Sequence, residues 1–304
     1  MTFHEAEHAG IFYPGDKTSQ DLIFDVSANT DVQNTDVQDA LSRISSLSSG
    51  FPSDFPAVVM VPQAAWTWTL ADIHDALGSL SATPDFELIV LLAPLHAPVM
   101  EIHQPAFVFS HGAIGTRTAQ GDIMFDIAAR GILEARFPRE FSLQNVYFTE
   151  EPGVEYLFPV LARKYPGVPV LPLLAGDADG QRVRAMAEML RILNEARPRT
   201  LFIIAGNLSA EEHLSQALEH ATVLQGAMEN GEALLPLRAA GKISSVATPW
   251  IEAVRRIFGG RWRLLTVRQS DGPRFCHLPE TAPDTSHSSV VWHAAEILTQ
   301  GRDS

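Results

Sequence analysis

Short aliphatic runs alternate with helix-period segments along most of this chain. Runs of strand character stand at 57–61, 88–93, 106–109, 143–148, 168–174, 201–205, 263–268 and 288–293. Apolar residues at helical spacing occupy 69–80, 122–135, 153–164, 179–196, 210–228 and 249–258. Such alternation predicts an α/β fold: a three-layer α/β/α sandwich around a mostly parallel or mixed sheet. The helix over 179–196 is the best defined. Asp179-Gly180 opens it, Val183, Met186, Met189, Leu190 and Leu193 fall at helical spacing, and it stops before Pro198. Segment 27–54 is rich in Ser, Asn, Asp and Thr. Val32, Val37, Leu41, Ile44 and Leu47 suggest one helix inside it, and it reads as a variable or lid-like insertion. Segment 270–287 is polar and contains proline, hence a loop. With no repeat and no sharp break in composition, a single domain over 1–304 is expected.

Two of the runs end in the same way. Ala57-Val58-Val59-Met60-Val61 closes at Pro62-Gln63, and Leu88-Ile89-Val90-Leu91-Leu92-Ala93 closes at Pro94-Leu95-His96. An aliphatic run cut off by proline and a polar side chain marks the carboxyl edge of a buried strand, where open α/β sheets bind their ligands. His96 is a metal-ligand type; Gln63 is a poor one.

Composition narrows the function classes. The chain of 304 residues is 46% hydrophobic and 19% charged, enough to build a sizeable core. No apolar stretch reaches the roughly 20 residues of a membrane span, and the first residues, Met1-Thr2-Phe3-His4-Glu5, do not resemble a secretion signal. A formal charge of −14 argues against nucleic acid or an anionic membrane as partner and favours a basic protein partner. The lone Cys276 cannot form an internal disulfide, and a cytoplasmic setting is the simplest expectation. Arg255-Arg256 and Arg261-Trp262-Arg263 form a local basic patch that reads as a solvated helix end.

Seven segments in order resemble the Memo family, called protein B of the AmmeMemoRadiSam system in bacteria and related to class III extradiol ring-cleavage dioxygenases. They are His8-Ala9-Gly10-Ile11-Phe12-Tyr13-Pro14-Gly15-Asp16, Val61-Pro62-Gln63-Ala64-Ala65-Trp66-Thr67-Trp68 and Leu91-Leu92-Ala93-Pro94-Leu95-His96. Then follow 118–126, Glu151-Pro152-Gly153-Val154-Glu155, 170–176 and the closing Ser288-Ser289-Val290-Val291-Trp292. The resemblance implies a Memo-like or extradiol-dioxygenase-like sandwich with a cleft of histidines, an aspartate and a cysteine, in which several relatives bind iron or copper.

This chain departs from that cleft almost everywhere. Gln63 stands at the first histidine position, Pro152 at the histidine of the family's Glu-His-Ser, Asn207 at the aspartate, Ala210 at a further histidine and Ser245 at the cysteine. His96 alone is retained. A non-haem iron centre needs about three good protein donors, and losing one ligand's support typically costs about 10–100-fold in affinity. The resemblance therefore implies a degenerate site: no metal or cofactor is expected, with His96 the one weak candidate ligand.

The other candidates are supporting ones. Glu151 and Glu155, four apart on a presumed helix, would share a face, and like-charged neighbours can raise one pKa. His213, in Glu211-Glu212-His213, follows the 201–205 strand and could turn inward or cap a helix. His103 and His111 read as exposed loop residues. Trp66 could border the cleft or belong to the core, whereas Trp68 reads as core. The expected cleft set is Gln63, Trp66, His96, Glu151, Glu155, Asn207, Ser245 and His213. The reading that follows is a non-catalytic binding or scaffolding subunit, partnered by itself, an active relative or another protein, with room for a small aromatic or amide ligand. One rival is a divergent iron- or copper-dependent oxidoreductase, or a metal-free acid–base enzyme, rebuilt around His96. Another is a peptide-binding module in the old cleft.

Overall fold

The computed structural model describes residues 2–27, 57–80, 85–96, 106–271 and 290–299. Residues 28–54 of the expected 27–54 insertion, residues 272–287 of the expected 270–287 loop, His103 and Cys276 lie outside them.

The aliphatic runs become the middle of one nine-stranded sheet. Strands β2 (Ala57–Val61), β9 (Thr200–Ala205), β3 (Leu88–Pro94) and β8 (Val170–Ala175) lie side by side in that order, all parallel. Beyond β8 come β4 (Val108–Ser110), antiparallel to it, and β7 (Phe141–Leu143). Beyond β2 the sheet turns antiparallel, through β12 (Val290–Thr299), which also pairs β10 (Ser209–Glu211) and β11 (Arg261–Asp271). A three-stranded sheet of β1 (Phe3–His4), β5 (Gly115–Thr118) and β6 (Gly121–Met124) stands apart.

Strands buried on both faces read as unbroken aliphatic runs, because neither face meets water. Alternate residues supply two cores. Val58, Met60, Val90 and Leu92 pack with helices α3 (Ile127–Arg136), α6 (Gly180–Ala196), α7 (Leu214–Asn230), α8 (Leu234–Ala239) and α9 (Thr248–Phe258). Val59, Val61, Ile89 and Leu91 pack with α1 (Lys17–Ser27), α2 (Trp66–Gly78), α4 (Asn145–Glu150) and α5 (Phe158–Lys164). The architecture is the expected α/β sandwich with a mixed sheet.

Helix limits follow capping chemistry. The Asp179 carboxylate accepts the amide N–H groups of Gln181 and Arg182 at the start of α6. Gly231, at φ 69°, closes α7 in the left-handed region that glycine enters without strain.

Four segments differ from the sequence reading. The run 143–148 is not a strand: Asn145–Glu150 is helical, with Tyr147 and Phe148 buried. A short apolar run fits either period, and here Tyr147 sits edge-on against Phe109 at 4.6 Å. The expected helix at 122–135 begins only at Ile127, because 121–124 forms the second strand of a hairpin. The helix at 210–228 is preceded by β10 and runs Leu214–Asn230. Residues Ser270 and Asp271, expected in a loop, continue β11.

Candidate functional site

Three parallel strands deliver the site. Beyond the ends of β2, β3 and β9 lie Gln63, His96 and Asn207 in turn. The Gly206 amide donates to the Val61 carbonyl at 3.0 Å, carrying the β2–β9 pairing one step past the strands. Asn207 then takes over from the backbone. Its Oδ1 accepts the Gln63 amide N–H at 3.0 Å, and its Nδ2 donates to the Gln63 carbonyl at 2.9 Å. The peptide group fixes both orientations, and Asn207 spends one donor and one acceptor on the Gln63 backbone. The Ser245 hydroxyl, just ahead of α9, donates to the Asn207 carbonyl at 2.5 Å.

Glu151 is the hub of the other half. It follows α4 directly and is 2% exposed. Its Oε1 accepts from Gln63 Nε2 at 3.1 Å and from the Gly153 amide at 3.0 Å. Its Oε2 accepts from the His96 amide at 3.1 Å and faces His96 Nδ1 at 2.6 Å. A carboxylate accepts, so Gln63 must present its NH2 side inward. One chain of hydrogen bonds thus runs His96–Glu151–Gln63–Asn207–Ser245.

Gly153 makes the hub possible. A Cβ there would meet Ala93 Cβ, Gln63 Nε2 and Glu151 Oε1, each at 3.0 Å. Sequence reading passed over this glycine. Its one signal was its place where the resembled family carries serine.

Electrostatics set the state of the imidazole. The hydrogen bond to Glu151 raises the His96 pKa, burial opposes it, and the charge of Glu151 adds to the rise. The His96 side chain is 47% exposed against 2% for Glu151, so the buried carboxylate holds a ring that solvent still reaches. With Nδ1 turned to Glu151, Nε2 is the nitrogen left to meet a ligand.

Other expected members fall elsewhere. Glu151 and Glu155 do not share a helix face, because the chain extends at Glu151 and starts a 3-10 turn only at Glu155. The two carboxylates have separate donors. Glu155 accepts from Tyr13 Oη at 2.8 Å, the His8 amide at 2.8 Å and the Glu7 amide at 3.0 Å, with His4 Nε2 at 3.3 Å. Burial would raise its pKa, but the bonds from His4 and the two amides outweigh that and hold it low. Its role is to tie the N-terminal segment to the body. Trp66 is a core residue, 2% exposed, with its indole N–H donating to the Tyr156 carbonyl at 2.9 Å. It packs on Tyr13 and Phe24, and Trp68, expected in the core, is half-buried instead. His213 is exposed at the N-cap of α7 and makes no side-chain cap bond there. His111 is buried rather than exposed, its ring 4.6 Å from that of His4.

The donor set does not suit iron or copper. Gln63 turns its amide nitrogen inward, Asn207 is committed to a peptide group, and Ser245 donates its proton to a carbonyl. His96 is the single imidazole in the chain of contacts, too few for such a centre. Among the described residues, no group of three or more His, Cys, Asp or Glu could hold a metal ion. Nor is any described helix long and apolar enough to cross a membrane.

No known family's sequence profile matches this chain, and no curated protein matches it in sequence. Among solved structures it is similar to an uncharacterized protein, JW3007 from Escherichia coli K12, at 11% identity and a TM-score of 0.46. That likeness covers 80% of this chain and 99% of the other, and nothing of the other protein's properties transfers at that distance.

Proposed function

We propose that this chain is a Memo-like protein whose metal cleft has become a binding cleft, and that it works as a non-catalytic binding or scaffolding subunit. The observation that carries the reading is the chain His96–Glu151–Gln63–Asn207–Ser245, in which the side chains at the resembled family's ligand positions bond to Glu151 or to the backbone. A ligand set engaged in this way leaves one imidazole nitrogen, His96 Nε2, where a metal centre needs about three good donors. What the cleft offers a ligand is the outward Nε2 of His96, an acceptor while the ring is neutral with its proton on Nδ1 and a donor once the ring is protonated, which suits an amide or a phenol. The acidic chain favours a basic protein as partner in the assembly.

A second reading has one observation in its favour. A half-exposed histidine held at 2.6 Å by a buried carboxylate is the arrangement of an acid–base dyad. The raised His96 pKa would make it a proton donor toward a small aromatic or amide substrate without any metal.

Nuclear magnetic resonance titration with benzamide and with phenol separates these readings. Saturable shifts of the His96 ring and Gln63 side-chain amide, absent in His96→Ala, support a binding cleft. Turnover of either probe points to the dyad as a working acid. No shift at any accessible concentration contradicts small-molecule binding and leaves the scaffold as the role to be sought among partners.

A further inference from the structure

Glu296 sits in the middle of β12 and is entirely buried, on the face shared with Ala294 and Leu298. In register it lies opposite Met60 of β2 and Leu264 of β11, with α7 packed over the same strands. Neither carboxyl oxygen has a hydrogen-bond partner among the described residues. A bare carboxylate in such a place is prohibitively costly, and a neutral acid far less so.

Among the described residues, no cation on a neighbouring element relieves it. β2 is wholly apolar, and on β11 the residues Arg263 and Arg268 alternate to the opposite face, where Arg268 meets Asp72 of α2. His74 and Asp75 belong to α2 too, and α2 packs with the other core. On α7, His220 is engaged by Glu211 of β10 at 2.7 Å. Glu219 and Glu229 of α7 are acids, and Glu229 pushes the Glu296 pKa further up in the direction set by burial, to about 8. The other unpartnered polar atom on this face, Trp262 Nε1, is neutral.

We propose that Glu296 is a proton-dependent latch: as the neutral acid it lets α7 close over β10, β11 and β12, and its ionisation opens that packing. The group binds a proton in the folded chain and has released it in the unfolded chain between the ordinary carboxylate range and about pH 8. Stability from this site is therefore full at low pH and falls as pH rises through that window. One such proton changes the unfolding constant by about tenfold per pH unit. The latch adjoins the cleft through Asn207-Leu208, which lead directly into β10.

The test compares the full chain with Glu296→Gln between pH 5 and 9. Urea unfolding should show the wild-type constant rising toward high pH by about tenfold per unit relative to the variant. Hydrogen-exchange protection, corrected for the base catalysis common to all amides, should fall with pH at 214–230 and 290–299 in wild type alone. Infrared difference spectra should contain the carbonyl stretch of a protonated carboxylic acid at neutral pH, lost in the variant. Parallel pH profiles, or a wild-type spectrum lacking that stretch at neutral pH, would overturn the proposal. Should Glu296→Gln fail to fold, Glu229→Gln serves: the wild-type carbonyl signal should then disappear at a lower pH, and an unmoved midpoint counts against the latch.

Discussion

His96 Nδ1 lies 2.6 Å from Glu151 Oε2, and the two residues are 55 positions apart in the chain. The bond joins the carboxyl end of a central strand to the end of a short helix and fixes which ring nitrogen faces outward. It also makes the imidazole state depend on one buried carboxylate.

Replacing Glu151 with alanine should strip partners from His96, the Gln63 side chain and the Gly153 amide at once. The expected cost is about 2–4 kcal/mol, since buried donors are left unpaired. Urea unfolding measures it. In Glu151→Gln, the His96 ring should titrate at a lower pH than in wild type, because the largest cause of its elevation is gone. The sign follows: the raised folded pKa adds stability below the ordinary histidine range and loses it as pH climbs through the folded value.

Gly153 and Gly226 make a controlled pair. Gly153→Ala pushes a methyl group against Ala93, Gln63 and Glu151 and should destabilise by about 1–3 kcal/mol, with altered His96 resonances. Gly226 lies inside α7 with nothing near its Cβ position, so Gly226→Ala should stabilise by about 0.5–1 kcal/mol. Thermal melts of both check this.

Asn207→Asp restores the resembled family's aspartate but removes the amide that donates to the Gln63 carbonyl at 2.9 Å. The carbonyl would then face a carboxylate. A loss of roughly 1–3 kcal/mol is expected, with no gain in metal affinity, because Gln63 and Ser245 are unchanged.

Acid should act through His111 and His74. Burial pushes His111 down to about 4, helped by His4 and Arg130, and does the same to His74, helped by Lys164 and Arg163. Between that value and the ordinary histidine range only the unfolded chain binds these protons, so stability falls as pH drops through the window. Unfolding of His111→Gln and His74→Gln should each show a shallower acid limb, by up to tenfold per pH unit in the unfolding constant.

The central strands were legible because burial on both faces leaves an unbroken aliphatic run, as in Leu88–Pro94. Gln63 and His96 were also placed at strand ends from residues alone, whereas Asn207 and Ser245 joined them only through the family resemblance. The partners of Glu151 were not legible. Spacing suggested Glu155, yet the chain is extended at Glu151, so the carboxylate turns to a residue that only the fold brings near. Tyr147-Phe148 misled for a related reason: six residues carry too little periodicity to separate strand from helix. Trp66, open between cleft border and core, is core, and Trp68, read as core, is half-buried, because the phase of α2 against the sheet decides which ring is buried and a helix start cannot be phased from its first residues.

The proposal that the cleft binds without a metal is tested most directly by titrating purified, chelator-free protein with iron(II) and copper(II), using His96→Ala as control. The expected result is no stoichiometric site, with any weak binding equal in the two proteins. One tightly bound metal per chain, lost in His96→Ala, would contradict it and make the cleft a rebuilt metal centre.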